Sequence, residues 1–243
     1  MKPDTLTIDG REVPFEPGQT IMEAATAANI YIPHLCHNPE FKPHGSCKLC
    51  TVQVNGRHCS ACTMPATQGQ QILSQTRELN DLRLSITQML FVEGNHFCPG
   101  CEKTGNCQLQ AVGYYTGMVD THFPHFFPKR QVDASHPDIM LDLDRCILCE
   151  LCVRASRDTD GKDIFGIVGR GMESHLAINT PSGKLADTPM SVSDKAAHVC
   201  PVGAILIKRT GYQAPIGQRI YDQQTIAEAS LERERALEED HND

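Results

Sequence analysis

The sequence predicts an α+β chain made of several small modules in series, each folded around something inorganic. Twelve cysteines fall into three close-spaced groups along 243 residues. Aromatic residues make up 5% of the chain and tryptophan is absent, which is too little for one large apolar core. The N-terminal stretch alternates strand-like and helix-like patterns, the mark of a small mixed fold.

The N-terminus has no charged and apolar leader, and no run approaches the roughly 18 apolar residues of a membrane helix, so the expected location is cytoplasmic, without membrane insertion. In a reducing compartment close-spaced thiols read as metal or redox ligands before disulfides. The formal charge is −8, and residues 232–243 hold six acids against two arginines, which accounts for half of it. The body is only mildly acidic and offers no basic face for nucleic acid.

In chain order, residues 5–9 alternate as a strand, Asp9-Gly10 is a hairpin turn signal, and Val13 to Phe15 return as a second strand. Thr20-Ile21-Met22-Glu23 is a capping box opening an alanine-rich helix to about Ala28. Residues 51–54 alternate again before the turn at Asn55-Gly56. A helix is expected over 80–93. The segment from His122 to Arg130 holds two prolines and three phenylalanines and reads as an extended connector packed by those rings or as an ordinary ordered loop, with no function assigned to it. A last helix is expected over 222–239 with Asp222 as its cap; its acidic finish opposes the helix dipole, so docking on another subunit is expected to hold it, the alternative being a solvated tail. The resulting division is 1–78, 79–118, the connector 119–137, 138–217, and the C-terminal helix and acidic tail 218–243.

The cysteines carry the chemistry. In the first group Cys36, Cys47, Cys50 and Cys62 are candidate ligands, with Cys59 an alternative to Cys62, and Gly45 and Ser46 let backbone amides turn toward sulfur. In the second, Cys98, Cys101 and Cys107 leave one corner of a cubane for a nearby imidazole. In the third, Cys146, Cys149 and Cys152 with the distant Cys200-Pro201 form the bacterial ferredoxin arrangement. Ser156 stands where two-cluster ferredoxins carry a further cysteine, so one cubane is expected there. Four-thiolate zinc sites that only staple the fold are the competing reading. No nucleophile–base pair and no phosphate loop stands out, so no catalytic residue is assigned.

These motifs carry a family resemblance. Residues 6–74 resemble the β-grasp [2Fe-2S] ferredoxin-type domain that opens the large iron–sulfur subunit of respiratory complex I and the iron-only hydrogenases. The first ligand gap is ten residues here, against four in plant-type ferredoxins. The family's Ala-Cys context favours Cys62 as fourth ligand and leaves Cys59 as a buried thiol. The second group is similar to the family's small helical domain with a histidine-ligated [4Fe-4S] cluster. The common spacing would put that histidine at position 94, which is Gly94 here; the ligand role is carried to His96, with a three-cysteine site as the alternative.

Residues 3–225 as a whole resemble the iron–sulfur part of the complex I large subunit, ending where its molybdopterin-like domain would begin. As a free-standing subunit the chain resembles the small diaphorase (HoxU-type) family of soluble NAD-reducing [NiFe] hydrogenases. That resemblance implies one [2Fe-2S] and two [4Fe-4S] clusters, a partner flavoprotein holding FMN and NAD, and a pair of hydrogenase small and large subunits. Relay subunits of NAD-dependent formate dehydrogenases and complex I-like enzymes share the same three modules and are the alternative.

Overall fold

A computed structural model describes residues 3–240. The elements in chain order are β1 (Asp4–Ile8), β2 (Arg11–Phe15), α1 (Ile21–Ala27), β3 (Thr51–Val54), β4 (Arg57–Ser60), β5 (Gln71–Leu73), α2 (Arg77–Glu93) and α3 (Gln108–Tyr115). After them come β6 (Val132–Asp133), β7 (Ile139–Asp142), α4 (Leu151–Arg154), β8 (Phe165–Val168), β9 (His175–Ile178), α5 (Lys195–His198), β10 (Ile205–Ile207), α6 (Ile220–Gln223) and α7 (Ile226–Asp240). The chain divides into two compact units. One holds the residues up to Thr87, Val112–Met118 and those from Gln224 onward; the other holds Gln88–Ala111 and Val119–Gln223.

The first unit is a five-stranded mixed sheet in the order β2-β1-β5-β3-β4. Its alternation puts Leu6, Ile8, Val13 and Phe15 inside, with Leu6 opposite Val13. Asp9-Gly10 and Asn55-Gly56 each have two consecutive positive φ values, the two-residue hairpin turn whose twist matches that of the strands. Thr20 and Glu23 close the capping box reciprocally, and α1 buries Ile21, Met22, Ala24 and Ala25 against the sheet's core. β5 pairs parallel with β1 and antiparallel with β3. Three residues are too few to register as a sequence period, so this central strand had no signal of its own. α2 begins one turn earlier than expected because Thr76 caps it, its hydroxyl accepting from Leu79 N at 3.2 Å.

The C-terminal helix departs from expectation in two ways. Asp222 does not open it, since its carboxylate accepts from Gly217 N and from the Arg219 backbone and guanidinium. The chain breaks after α6, and Thr225 caps α7 through a reciprocal bond with Glu228. The buried face of α7 is taken up by this chain's own α1. Glu234 is 4% exposed and its Oε2 accepts from Thr26 Oγ1 at 2.7 Å. Its Oε1 stands 3.5 Å from His34 Nε2; burial pushes that imidazole down to about 4, so it is neutral near pH 7 and the pair is not an ion pair. The side chains of 238–240, and residues 241–243, lie outside the described residues, and with them the expected acidic finish.

Replacing Glu234 by alanine is expected to cost about 1–3 kcal/mol, because the Thr26 hydroxyl loses its buried acceptor. A lowered midpoint in chemical denaturation checks this. An unchanged midpoint would mean that α7 does not hold its place on α1.

The second unit has a small antiparallel sheet, β10-β7-β6, with Leu141 opposite Ile205, and a separate β8–β9 hairpin. α4 packs against α5 and β8 and runs on into a wider π-type turn at Ala155–Thr159. The connector corrects one expectation. Phe126 and Phe127 are 54% and 70% exposed, and of its three rings only Phe123 is half-buried, so two of the three do not pack it. Hydrogen bonds to its backbone hold it as well, Phe126 N to Val92 O at 3.1 Å and Asn95 Nδ2 to Pro128 O at 2.7 Å.

Candidate metal centres

The first centre lies in the first unit. Cys36, Cys50 and Cys62 are buried and Cys47 is half-buried. The Cys47 amide donates to Cys36 Sγ at 3.5 Å, and the Cys50 and Cys62 sulfurs are 3.4 Å apart. A hydrogen bond from Cys47 pulls the Cys36 thiol down to about 5. The bond with Cys62 pushes the Cys50 thiol up and lowers that of Cys62. Sulfurs this close share protons readily, the state from which a cluster displaces them. Gly45 and Lys48 both take positive φ, and a Cβ at Gly45 would meet Thr63 Cγ2 at 3.1 Å, so the loop's path needs glycine there. Cys59 stands on β4 opposite Val52, half-buried against the core rather than fully buried as expected. Burial, then the charge of Cys50, raises its pKa.

The second centre lies in the second unit. His96, Cys98, Cys101 and Cys107 line one small cavity, closed by Phe91, Leu109 and Arg145. The His96 ring sits edge-on to Phe91 at 5.4 Å. Its Nε2 is buried with no hydrogen-bond partner among the described residues. Burial pushes the imidazole down to about 4 and the Cys107 thiol up to about 12. Gly94 explains the altered spacing. A Cβ there would lie 2.6 Å from His96 Nε2 and 2.6 Å from the Asp144 carbonyl, so the ring reaching back from position 96 fills the space at position 94.

The third centre is in the same unit. Cys146, Cys149, Cys152 and Cys200 line a small apolar cavity with Leu176, Val202 and Ile205. Leu148 and Glu150, between the three close cysteines, both take left-handed backbone, costing about 1–2 kcal/mol each. Burial pushes Cys146 up to about 11 and also raises Cys152 well above the ordinary thiol range. Ser156 is fully buried and its Oγ accepts from Ile164 N at 2.8 Å, so this position is spent on the turn after α4. The chain leaving Cys200 passes the second cavity: Gly203, three residues on, lines it, and a Cβ there would stand 3.3 Å from Cys101 Sγ. Sequence reasoning missed Arg145, whose guanidinium bonds Glu102 and Asp142 at 2.7 Å each beside the second cavity.

Among the described residues no group of three or more His, Cys, Asp or Glu is arranged to hold a single metal ion, and no helix is long and apolar enough to cross a membrane.

Known proteins match the same three segments. Residues 2–77 match the 2Fe-2S iron-sulfur cluster binding domain, 83–122 the NADH-ubiquinone oxidoreductase-G iron-sulfur binding region, and 139–207 the 4Fe-4S single cluster domain. Over 230 residues the chain is 43% identical to the NAD-reducing hydrogenase HoxS subunit gamma of Cupriavidus necator, covering 94% of this chain and 97% of that one. This chain belongs to the gamma-subunit family of NAD-reducing hydrogenases. A crystal structure of an NAD+-reducing [NiFe]-hydrogenase in the H2-reduced state contains a chain that superposes with a TM-score of 0.90 at 51% identity, over 92% of this chain and 95% of that one. The 78 kDa subunit of Candida albicans NADH-ubiquinone oxidoreductase is 31% identical over 86% of this chain, which spans 29% of that subunit. The gamma-subunit family thus stands as a short relative of the complex I subunit, and this member carries 2Fe-2S and 4Fe-4S domains.

Proposed function

We propose that this chain relays electrons, one at a time, between a hydrogenase module and an FMN/NAD-binding diaphorase subunit, in H2 oxidation coupled reversibly to NAD reduction. The observation that carries this is near full-length identity to a hydrogenase gamma subunit, with a set of four ligand-type side chains inside each of the three matched segments. The cofactors are one [2Fe-2S] cluster on Cys36, Cys47, Cys50 and Cys62 of a β-grasp domain, one [4Fe-4S] cluster on His96, Cys98, Cys101 and Cys107, and one on Cys146, Cys149, Cys152 and Cys200. In a cluster each ligand binds its own iron, so the four need not converge on one point. Bound clusters supply one-electron storage at potentials set by ligand type, hydrogen bonding and burial.

The protein's own residues do the rest. The Cys47 amide is aimed at sulfur, the Phe91 ring packs edge-on against His96, and Leu176, Val202 and Ile205 keep water from the third centre. That Gly203, three residues after Cys200, lines the same cavity as Cys101 supports a short tunnelling gap between the two cubanes. The partners are the diaphorase flavoprotein and the hydrogenase small and large subunits, with the complex in the cytoplasm.

Metal content of anaerobically purified protein tests the reading. About ten irons per chain and no zinc are expected, two plus four plus four. Zinc in place of iron would overturn it.

A further inference from the structure

Arg83 is among the most deeply buried side chains of the molecule, 1% exposed on α2. Its Nε donates to the Leu49 carbonyl at 3.1 Å and its Nη2 to the Thr51 carbonyl at 3.0 Å. Nη1 donates to the Ser74 carbonyl at 2.6 Å and to Asn80 Oδ1 at 3.1 Å. Every one of these acceptors is neutral. Among the described residues no carboxylate lies within ion-pair distance of it, whereas Arg130 has one and Arg145 two. A guanidinium stays protonated in proteins, and a cation buried among neutral groups is costly unless an anion stands close. Leu49 and Thr51 are the neighbours of Cys50 on either side, so the charge is held against the backbone around that thiol. Burial is the main influence lowering the guanidinium's pKa; Tyr115 first, then Cys50, the Asp9 carboxylate and Tyr31 oppose it.

We infer that Arg83 is a positioning residue that supplies the fixed counter-charge of the [2Fe-2S] centre and holds its reduction potential up. The inference rests on the reading that Cys36, Cys47, Cys50 and Cys62 hold that cluster. One-electron reduction adds a negative charge to the centre, and a cation fixed in a poorly polarisable surrounding stabilises the reduced form more than the oxidised one. The Leu49 and Thr51 carbonyl contacts tie the segment after Cys47 to α2, so position and potential are set by one side chain.

The test uses the full chain with its clusters, titrated electrochemically and followed by the EPR signal of each cluster. Asn80→Asp is the decisive variant. Asn80 is exposed in the first turn of α2, where a carboxylate suits the helix, and the change puts that carboxylate against Nη1 while every carbonyl contact stays. The expected result is a lower [2Fe-2S] potential, with the one-electron reduction constant down about tenfold, an unchanged line shape and unmoved [4Fe-4S] potentials. Arg83→Gln is expected to lower it further, and Arg83→Lys to restore most of the potential while the cluster is lost faster. A native [2Fe-2S] signal with unmoved potential in Asn80→Asp would overturn the inference, whether or not the Arg83 variants assemble. Absence of a [2Fe-2S] signal in the unaltered protein would instead overturn the ligand reading beneath it.

Discussion

Replacing Cys152 by alanine is expected to remove about four irons per chain and to loosen the unit that holds the third centre, while the [2Fe-2S] signal persists. Cys152 sits on α4, 8% exposed, in the wall of the cavity it shares with Cys146, Cys149 and Cys200. Two features of this loop are unfavourable without metal. Leu148 and Glu150 are held in left-handed backbone, and buried thiols such as Cys152 are pushed far from easy ionisation. Ligand bonds offset both, since metal binding to a site absent in the unfolded chain contributes directly to folding. With one corner gone, that stabilisation goes too, and the sheets of this unit are only three and two strands wide. Iron analysis and EPR of the reduced protein check the loss, and thermal denaturation checks the loosening. Iron unchanged from the unaltered protein would take Cys152 out of the ligand set.

Short-range features are the ones legible in the sequence. Hairpin turns at Asp9-Gly10 and Asn55-Gly56 and the Thr20–Glu23 capping box each depend on residues a few positions apart, and each is present as expected. Features that depend on distant partners are not legible in this way. β5 exists because β1 and β3 offer it two edges. Arg83 reads as any polar position of a helix, because its acceptors Leu49 and Thr51 are more than thirty residues away. The exposure of Phe126 and Phe127 is not legible either, because nothing in the local pattern says what they face. That one face of α7 meets Thr26 and His34 is likewise not legible, because those residues lie some two hundred positions away.

His96→Ala is the change expected to separate the second centre from the other two. It should lower iron from about ten to about six per chain and remove one [4Fe-4S] signal, leaving the third centre and the [2Fe-2S] centre in place. The physical ground is the orphaned nitrogen. A buried imidazole Nε2 without a hydrogen-bond partner is an unmet cost of about 1–3 kcal/mol, and a ligand role for this atom removes it. Pulsed EPR of the unaltered protein should show nitrogen coupling on one cubane, and His96→Ala should abolish it. Moving the histidine to the family's common position, as Gly94→His with His96→Ala, is expected not to rescue the site. The imidazole of His96 would have vacated its space, but the new Cβ would still stand 2.6 Å from the Asp144 carbonyl, and that oxygen also accepts from Asn95 N at 2.9 Å. A backbone carbonyl tied in this way cannot retreat as a flexible side chain can. Full iron and an unaltered cubane signal in His96→Ala would mean that three cysteines hold the cluster and that the ring only fills space behind it.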